Sequence, residues 1–593
     1  MIPRPEHPKP QFQRELWLNL NGQWTFTFDF GRSGADKGRE LFLSKGFDKE
    51  ITVPFCPESP LSGVGYYDFI EGMWYHRKLL LPHDWEGKRI ILHFGGVDYE
   101  SEAYLNGESV GMHRGGACSF AYDITEKAKF GEEMDLILRV EDVMREGLRG
   151  SDFGNMGCTH PYGKQCFVYQ SHGCSYTRTT GIWQTVWVEA VGKAGLSDCY
   201  MRPDIDSKKL YLTPSFYEVP EGLKFRCVVK SGDTVVTEGE WDAKEGKQYE
   251  VSFDEMRLWS PADPFLYDVV LETVLDGAAV DSVKSYTGMR KYHCANGKIY
   301  LNNEPIFMRM VLDQGFYPDG IWTAPSDEAL KQDIVMSMAA GFNGARLHQK
   351  VFEERFHYWA DKLGYLTWGE FPSWGCDPNV AKACENHKRE WKEVLLRDRN
   401  HPSIVAWTPW NETWGIEDRL QHENSHMESY RLCTQLDPSR PVNTASGGVH
   451  YATDLWTVHM YHKPDKLPSL LAADENGHYF ENFPEQQETK WHGQPYVVDE
   501  IGGIGYIPPD RKAFASNTWG YGGMPQTEEE FLTRLRETVK CFVEAPHVQG
   551  FCYTQLTDVE QEQNGVYNYD RTNKVPVEKL HEIFTQKRPD DLK

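Results

Sequence analysis

From about Gly297 onward the chain repeats one pattern, a short apolar run followed by a helix-length amphipathic segment. The runs are IFMRMVL (306–312), FNGARLH (342–348), YLTWGEF (365–371), IVAWTPW (404–410), VNTAS (442–446), WTVHMYH (456–462), YVVDEI (496–501) and GFCYTQL (550–556). Between them, Leu330, Ile334 and Met338 share one helical face, as do Phe352, Phe356, Trp359 and Leu363. Thr527 with Glu530 forms a capping box ahead of Phe531, Leu535, Val539 and Phe542. Strands that alternate with helices read as parallel βα units. Eight such units close into a (β/α)8 TIM barrel.

The 593 residues exceed what one core serves, so several domains are expected. Before Gly297 the style is different. Short alternating runs such as GQWTFTFDF, WYHRKLLLP, KRIILHFGGV and MDLILRVED recur between Gly, Asn, Asp and Pro, which predicts a β-sandwich up to about residue 193. Asn106-Gly107 marks a hairpin turn. A second β-block, 194–295, has the length of an immunoglobulin-like β-sandwich and contains KLYLTPSFY, GLKFRCVVKS and LYDVVLETV. The expected division is therefore 1–193, 194–295 and a barrel over 296–593.

Charge and cysteines narrow the function. The balance of 63 basic against 88 acidic residues, net −25, argues against nucleic acid as a partner. No run reaches the ~18 apolar residues of a membrane span. The chain opens MIPRPEHPKPQ without a basic-then-apolar leader. Its 13 cysteines are scattered and odd in number, which reads as reduced thiols. A cytoplasmic enzyme is the expectation.

In such barrels the chemistry sits at the C-terminal ends of the strands. The polar residues there are Asp313, Arg346, His348, Glu370, Asn411-Glu412, His459, Tyr461, Asp499-Glu500, Gln555 and Asp558, with Trp374 just beyond the third strand. Glu412 and Glu500 end the fourth and seventh strands, which face each other across the ring. Glycoside hydrolysis with retention needs two carboxyls placed in that way, one to attack the anomeric carbon and one to protonate the leaving oxygen and then activate water. The pair must differ in pKa, raised for the acid and ordinary for the nucleophile. Asn411 can donate to a sugar hydroxyl beside the anomeric carbon. Trp374 reads as a sugar platform or as packing at the rim, and Trp410 as packing under Glu412. Strand alternation sends Asp499 to the face opposite Glu500. Asp558 reads equally as a sugar contact or as one half of a salt bridge. His459, His348 and Glu370 could be imagined around a metal, but the mechanism needs no metal or cofactor.

The chain also resembles glycoside hydrolase family 2, the group of β-galactosidases, β-glucuronidases and β-mannosidases. WYHRKLLLP (74–82), FGGVDYESEAYLNGESVG (94–111) and TTGIWQTVWVEA (179–190) are similar to its jelly-roll domain. RLWSPADPFLYDV (257–269) and YTGMRKY (286–292) are similar to its immunoglobulin-like domain. KIYLNNEPIFMRM (298–310), GFNGARLH (341–348), HPSIVAWTPWNET (401–413) and PYVVDEIGG (495–503) are similar to its barrel. The resemblance implies Glu412 as acid/base and Glu500 as nucleophile, with Arg346, Asn411 and Tyr461 in the pocket. It also implies subunit contacts through the β-domains, hence a homo-oligomer.

Three departures stand out. The stretch after the first strand, Leu312-Asp313-Gln314, lacks the family's His-Glu, and His348 comes one place early after Arg346. Thr554 stands where the family has a Trp platform. Glu562-Gln563-Asn564 lacks the Lys with which glucuronidases grip the sugar carboxylate, and a Glu there repels an acidic sugar. The sequence therefore reads as a retaining exo-glycosidase releasing a terminal sugar, with a β-galactoside as the leading substrate. A β-galactofuranoside or α-L-arabinofuranoside is the alternative on the same scaffold. A non-catalytic carbohydrate-binding protein is the rival of another class.

Overall fold

The structure is a computed structural model that describes residues 2–35, 38–144 and 159–589. Strands between Trp17 and Val191 form two main antiparallel sheets, one of four strands and one of six with Gly72–Leu80 and Glu133–Glu141 at its centre, plus a two-stranded ribbon of Val97–Asp98 with Gly181–Ile182. Leu92, Phe94, Val186 and Val188 of the first sheet meet Trp24, Met73, Tyr75, Leu136 and Leu138 of the second in one buried core. Strands with one face on a core and one in water need this alternation of apolar and polar residues. Asn106 and Gly107 both have positive φ (50° and 84°) and turn Glu100–Leu105 into Glu108–Arg114, as a two-residue hairpin loop requires. A second pair of antiparallel sheets, of three and four strands between Leu196 and Thr287, closes over Leu210, Leu212, Phe225, Cys227, Val269 and Val283.

The barrel strands are β1 (Met308–Asp313), β2 (Gly344–Leu347), β3 (Leu366–Glu370), β4 (Ile404–Thr408, resuming at Trp410–Asn411), β5 (Ala445–Ser446), β6 (Trp456–Met460), β7 (Tyr496–Gly502) and β8 (Val548–Thr554). Seven of them lie parallel in the order β4, β3, β2, β1, β8, β7, β6. Pro409 has no N–H to give, so the β4 ladder breaks there. Beyond the break, Trp410 and Asn411 pair with Ala445 and Ser446 of β5 instead. Alternation divides each strand between two cores. Met308, Met310 and Leu312 of β1 point inward beside Leu366, Trp368 and Cys552. Val311, with Ala345, Leu347 and Val498, faces the helical layer.

The helices follow the sequence periodicity. Asp327–Ala339 starts at Ser326, whose side chain accepts from the Ala329 N–H, and it buries Leu330 and Ile334. Glu528–Glu544 starts at Thr527, which accepts from the Glu530 N–H and satisfies a donor that a helix start leaves free. The Glu530 carboxylate reaches back one residue further than a capping box requires, to the Gln526 N–H (2.8 Å). The first sandwich packs on the barrel through Trp183 against Trp322 (5.0 Å between rings) and through Tyr99, whose hydroxyl donates to Glu390 (2.8 Å). The twelve described cysteines are all free thiols. No helix among the described residues is long and apolar enough to cross a membrane.

Candidate active site

Glu500 lies near the C-terminal end of β7, is buried, and is held from three sides. Arg346 on β2 donates from Nη1 (2.8 Å), Tyr461 donates its hydroxyl (2.5 Å), and His459 Nδ1 lies at 3.4 Å. Burial works against the charge of Glu500, but His459, Arg346 and Tyr461 outweigh it and hold the carboxyl below the ordinary range. Thr554 then donates to the Tyr461 oxygen, whose single hydrogen is already given to Glu500 (2.9 Å).

Arg346 is the hub beneath this carboxylate and is fully buried. Its Nε donates to Glu370 (2.6 Å) and its Nη2 to Asn411 Oδ1 (2.6 Å). Glu370 also accepts from His348 Nδ1 (2.8 Å) and from the Gln349 N–H (3.0 Å). Burial first, then Arg346 and Lys164, push the His348 pKa well below its ordinary value. The ring is therefore neutral, with its proton on Nδ1 toward Glu370. Because Asn411 spends its oxygen on Arg346, its amide Nδ2 is left buried without a partner, free to donate to a ligand.

Glu412 follows Asn411 in a left-handed conformation (φ 53°), which side chains other than glycine rarely adopt. The turn is fixed by its N–H, which donates to Ser446 O (2.8 Å), and by its carbonyl, which accepts from the Trp414 N–H (3.1 Å). This turn aims the half-buried carboxylate at the centre of the ring. Trp410 packs behind it, stacked on His387 at 3.8 Å with its indole N–H on Ser429.

His459 on β6 joins the two carboxylates. Its Nδ1 donates to Glu412 Oε1 (3.0 Å) and also faces Glu500. Its Nε2 meets Ser446 Oγ (2.9 Å), whose hydrogen goes to Asp499 (2.6 Å). That hydroxyl can only accept from the ring, so both ring nitrogens carry protons. The electrostatics agree. Burial lowers the His459 pKa, but Glu500, Glu412 and Asp499 push it up to about 9. The ring needs close backbone approach, since a Cβ at Gly447 (φ 57°) would sit 2.4 Å from it.

Asp499 does not follow strand alternation. Register shifts between Val458 and His459 on one ladder and between Val498 and Ile501 on the other break the period of two. Asp499 consequently turns toward Ser446, Asn443 and His459 Nε2 (3.5 Å). Among the described residues, Glu412, His459 and Glu500 form the one group whose ligand atoms lie close enough for a metal, all within 4.8 Å. With both of its ring nitrogens protonated, His459 pairs its charge with the two carboxylates in this cluster.

Of the other expected residues, Trp374 borders the cluster. Its N–H donates to Gln349 Oε1 (3.0 Å), and its neighbour Ser373 accepts from the Asn411 N–H (3.1 Å). Gln555 donates to Asn564 (2.8 Å), which donates to Glu562 (3.0 Å). Two expectations fall outside the network. Asp313 turns to its own loop and accepts from the Gly315 N–H (2.9 Å). Asp558 forms a buried ion pair with Lys574 (2.6 Å) and accepts from the Gly565 N–H, the salt-bridge half of its two readings.

Lys164, Tyr176, Ser446 and Tyr521 were not anticipated. Tyr521 stacks on Tyr461 (3.8 Å, 10°). Lys164 and Tyr176 arrive from the first sandwich. Lys164 Nζ lies 4.1 Å from the Trp374 ring centroid, and Tyr176 donates to Glu562. The signal was present in the non-alternating stretch HPYGKQCFVYQSHGCSYTR (160–178) inside a β-domain. Long irregular loops on a rigid scaffold carry function more often than packing.

Comparison with known proteins adds the family. The model described as "Glycosyl hydrolases family 2, TIM barrel domain" matches residues 294–507, and "Glycosyl hydrolases family 2" matches residues 198–290. A β-galactosidase of Thermoanaerobacter pseudethanolicus is 26% identical over 457 residues, covering 74% of this chain and 56% of that protein. A β-glucuronidase of Bacteroides fragilis is 24% identical over 466 residues, covering 73% of this chain and 62% of that protein. The chain thus spans about three-fifths of the length of these relatives. The crystal structure of Ruminococcus gnavus β-glucuronidase superposes with a TM-score of 0.78 at 18% identity, covering 98% of this chain and 100% of that one. That likeness is one of fold.

Proposed function

The chain belongs to glycosyl hydrolases family 2, and on that premise we propose that it is a retaining exo-glycosidase. Glu500 is the nucleophile and Glu412 the acid/base. One observation carries this reading, namely that carboxylate oxygens of Glu412 and Glu500 lie within 4.8 Å of each other. Retaining enzymes keep their carboxyls ~5–5.5 Å apart, whereas inverting enzymes leave ~6.5–9.5 Å for a water.

The roles follow from the surroundings. Glu500 is kept ionised by its cationic neighbours, so it attacks the anomeric carbon and forms a glycosyl-enzyme. Glu412, the more open of the two, protonates the leaving oxygen and then takes a proton from the incoming water. Asn411 Nδ2 donates to the hydroxyl next to the anomeric carbon, where hydrogen bonds strengthen as charge develops. Arg346 and Tyr461 fix the nucleophile. His459 lies between the two carboxylates and keeps their charges from repelling. We read the chain as a jelly-roll domain (1–193), an immunoglobulin-like domain (194–295) and the catalytic barrel (296–593).

The leading substrate is a terminal β-galactoside, a neutral sugar. Glu562 at the pocket edge and the named activity of the Thermoanaerobacter relative support it. A β-glucuronide is the second reading, favoured by the name of the Bacteroides relative. The test is a panel of nitrophenyl pyranosides, furanosides and uronides, with the first-formed anomer followed by NMR. The expected result is release of one sugar with retained configuration, and a loss of at least about 10⁴-fold for Glu500→Gln. An inverted product, or a Glu500→Gln variant near wild-type rate, would end the double-displacement reading.

A further inference from the structure

Lys164 is a lysine from the first sandwich held almost wholly inside the barrel mouth, with 5% of its surface exposed. Among the described residues its Nζ makes no hydrogen bond or ion pair. Its one close partner is the face of Trp374. A buried ammonium gives up its hydration and ordinarily recovers that cost through hydrogen bonds. One left with three free donors at the edge of a pocket is placed to give them to a ligand.

The loop that carries Lys164 is built to hold it there. The Tyr162 and Gly163 N–H groups both donate to Trp374 O (2.8 and 3.1 Å). Gly163 has φ 59°, and a Cβ there would lie 2.3 Å from Gln349 O, so only glycine permits this approach to the barrel. The Lys164 carbonyl accepts from the Tyr176 N–H (2.7 Å). Next to it, Gln165 donates to Asp98 (2.6 Å) and accepts from the Thr179 N–H (2.7 Å). Tyr176 in turn reaches Glu562 beyond β8. The loop therefore spans from the β3 side of the mouth to the β8 side.

We infer that Lys164 is a specificity-determining residue whose ammonium donates to hydroxyls of the terminal sugar on the side remote from the anomeric carbon. The inference rests on the glycosidase reading, since Glu412 and Glu500 then fix the anomeric end at β4 and β7. The rest of the sugar must point toward β8, β1 and β2. Burial works against the charge of Lys164, but Cys174, Glu562, Glu412 and Glu500 together keep its pKa above the ordinary lysine value. The nearby Glu562 carboxylate opposes an anionic substituent at this position and tolerates a hydroxyl, which can donate to it while accepting from Lys164.

The test pairs Lys164→Met with a series of monodeoxy aryl glycosides of whichever sugar the wild type cleaves. Methionine keeps a flexible apolar stem against Trp374, and Lys164→Gln serves as a second variant should the first be unstable. For the parent sugar, kcat/KM is expected to fall about 10- to 100-fold, the worth of a hydrogen bond to a charged group. For the analogue lacking the contacted hydroxyl, the wild type is already slow and the variant adds less than about threefold. Equal slowing of every analogue, or wild-type kinetics throughout, would overturn the assignment. So would loss confined to uronides, which would make Lys164 a carboxylate clamp. A wild type that cleaves no glycoside at all would instead defeat the glycosidase reading.

Discussion

Replacing Tyr461 with Phe removes a single oxygen from the wall around Glu500 and leaves the ring stacked on Tyr521 at 3.8 Å. The bond lost is a 2.5 Å O–H···O⁻ contact to a carboxylate that is itself 5% exposed. Charge-assisted bonds of this kind contribute ~1.5–3 kcal/mol net, a factor of roughly 10 to 150 in rate. Arg346 and His459 still hold the charge, which sets the upper bound. Tyr461 is also one of the groups that lower the Glu500 pKa. Without it that pKa rises, and the ionised form of the proposed nucleophile is lost at a higher pH as the solution is acidified. Tyr461→Phe should therefore lower kcat/KM within the stated range and move the acidic limb of the pH–kcat/KM profile upward, measured with an activated aryl glycoside from pH 3 to 9. The alkaline limb should stay in place. A drop of less than threefold with an unmoved acidic limb would refute the claim that this hydroxyl tunes Glu500.

Two further outcomes follow from the same network. His459 has its pKa raised from 6.5 to about 9, so its contribution to stability is full below pH 6.5 and is lost as pH rises through about 9. The magnitude is up to about 3 kcal/mol. The wild-type thermal midpoint should fall over that window while that of His459→Gln stays flat, and parallel curves for the two would contradict it. Lys574→Met strands Asp558 as a buried unpaired charge, which costs about 3–5 kcal/mol. The denaturation midpoint should drop clearly, while kcat/KM of the remaining folded enzyme stays near wild type; a specific loss of sugar affinity would instead return Asp558 to the pocket.

The barrel was readable from the sequence because each strand-to-helix switch changes the hydrophobic period from 2 to 3.6, a signal local to a few residues. The closeness of Glu412 and Glu500 was readable because strands four and seven face each other across the ring, though the left-handed turn that aims Glu412 was not. Asp499 was misplaced for a physical reason, since a ladder irregularity leaves no mark in the apolar pattern. Asp313 and Asp558 stayed ambiguous in the sequence because a carboxylate at a strand end looks the same whether it faces a ligand, a lysine or its own loop. His459 was named as a pocket residue, but its double protonation depends on Ser446, a hydroxyl thirteen residues away whose single hydrogen is already committed. Lys164 lay out of reach because the contact that places it spans two domains.

That divided origin means the β-sandwich and the barrel cannot be treated as an appendage and an engine. The loop that brings Lys164 to the mouth hangs from a different core than the carboxylates do, and among the described residues it is braced by isolated bridges, Gln165 with Tyr176 and His172 with Ser175, rather than by a full strand ladder. On the glycosidase reading, changes along 160–178 that keep Gly163 would retune which sugar is accepted while leaving Glu412 and Glu500 in place. An isolated barrel, even if folded, would present its two glutamates to a cavity open on one side.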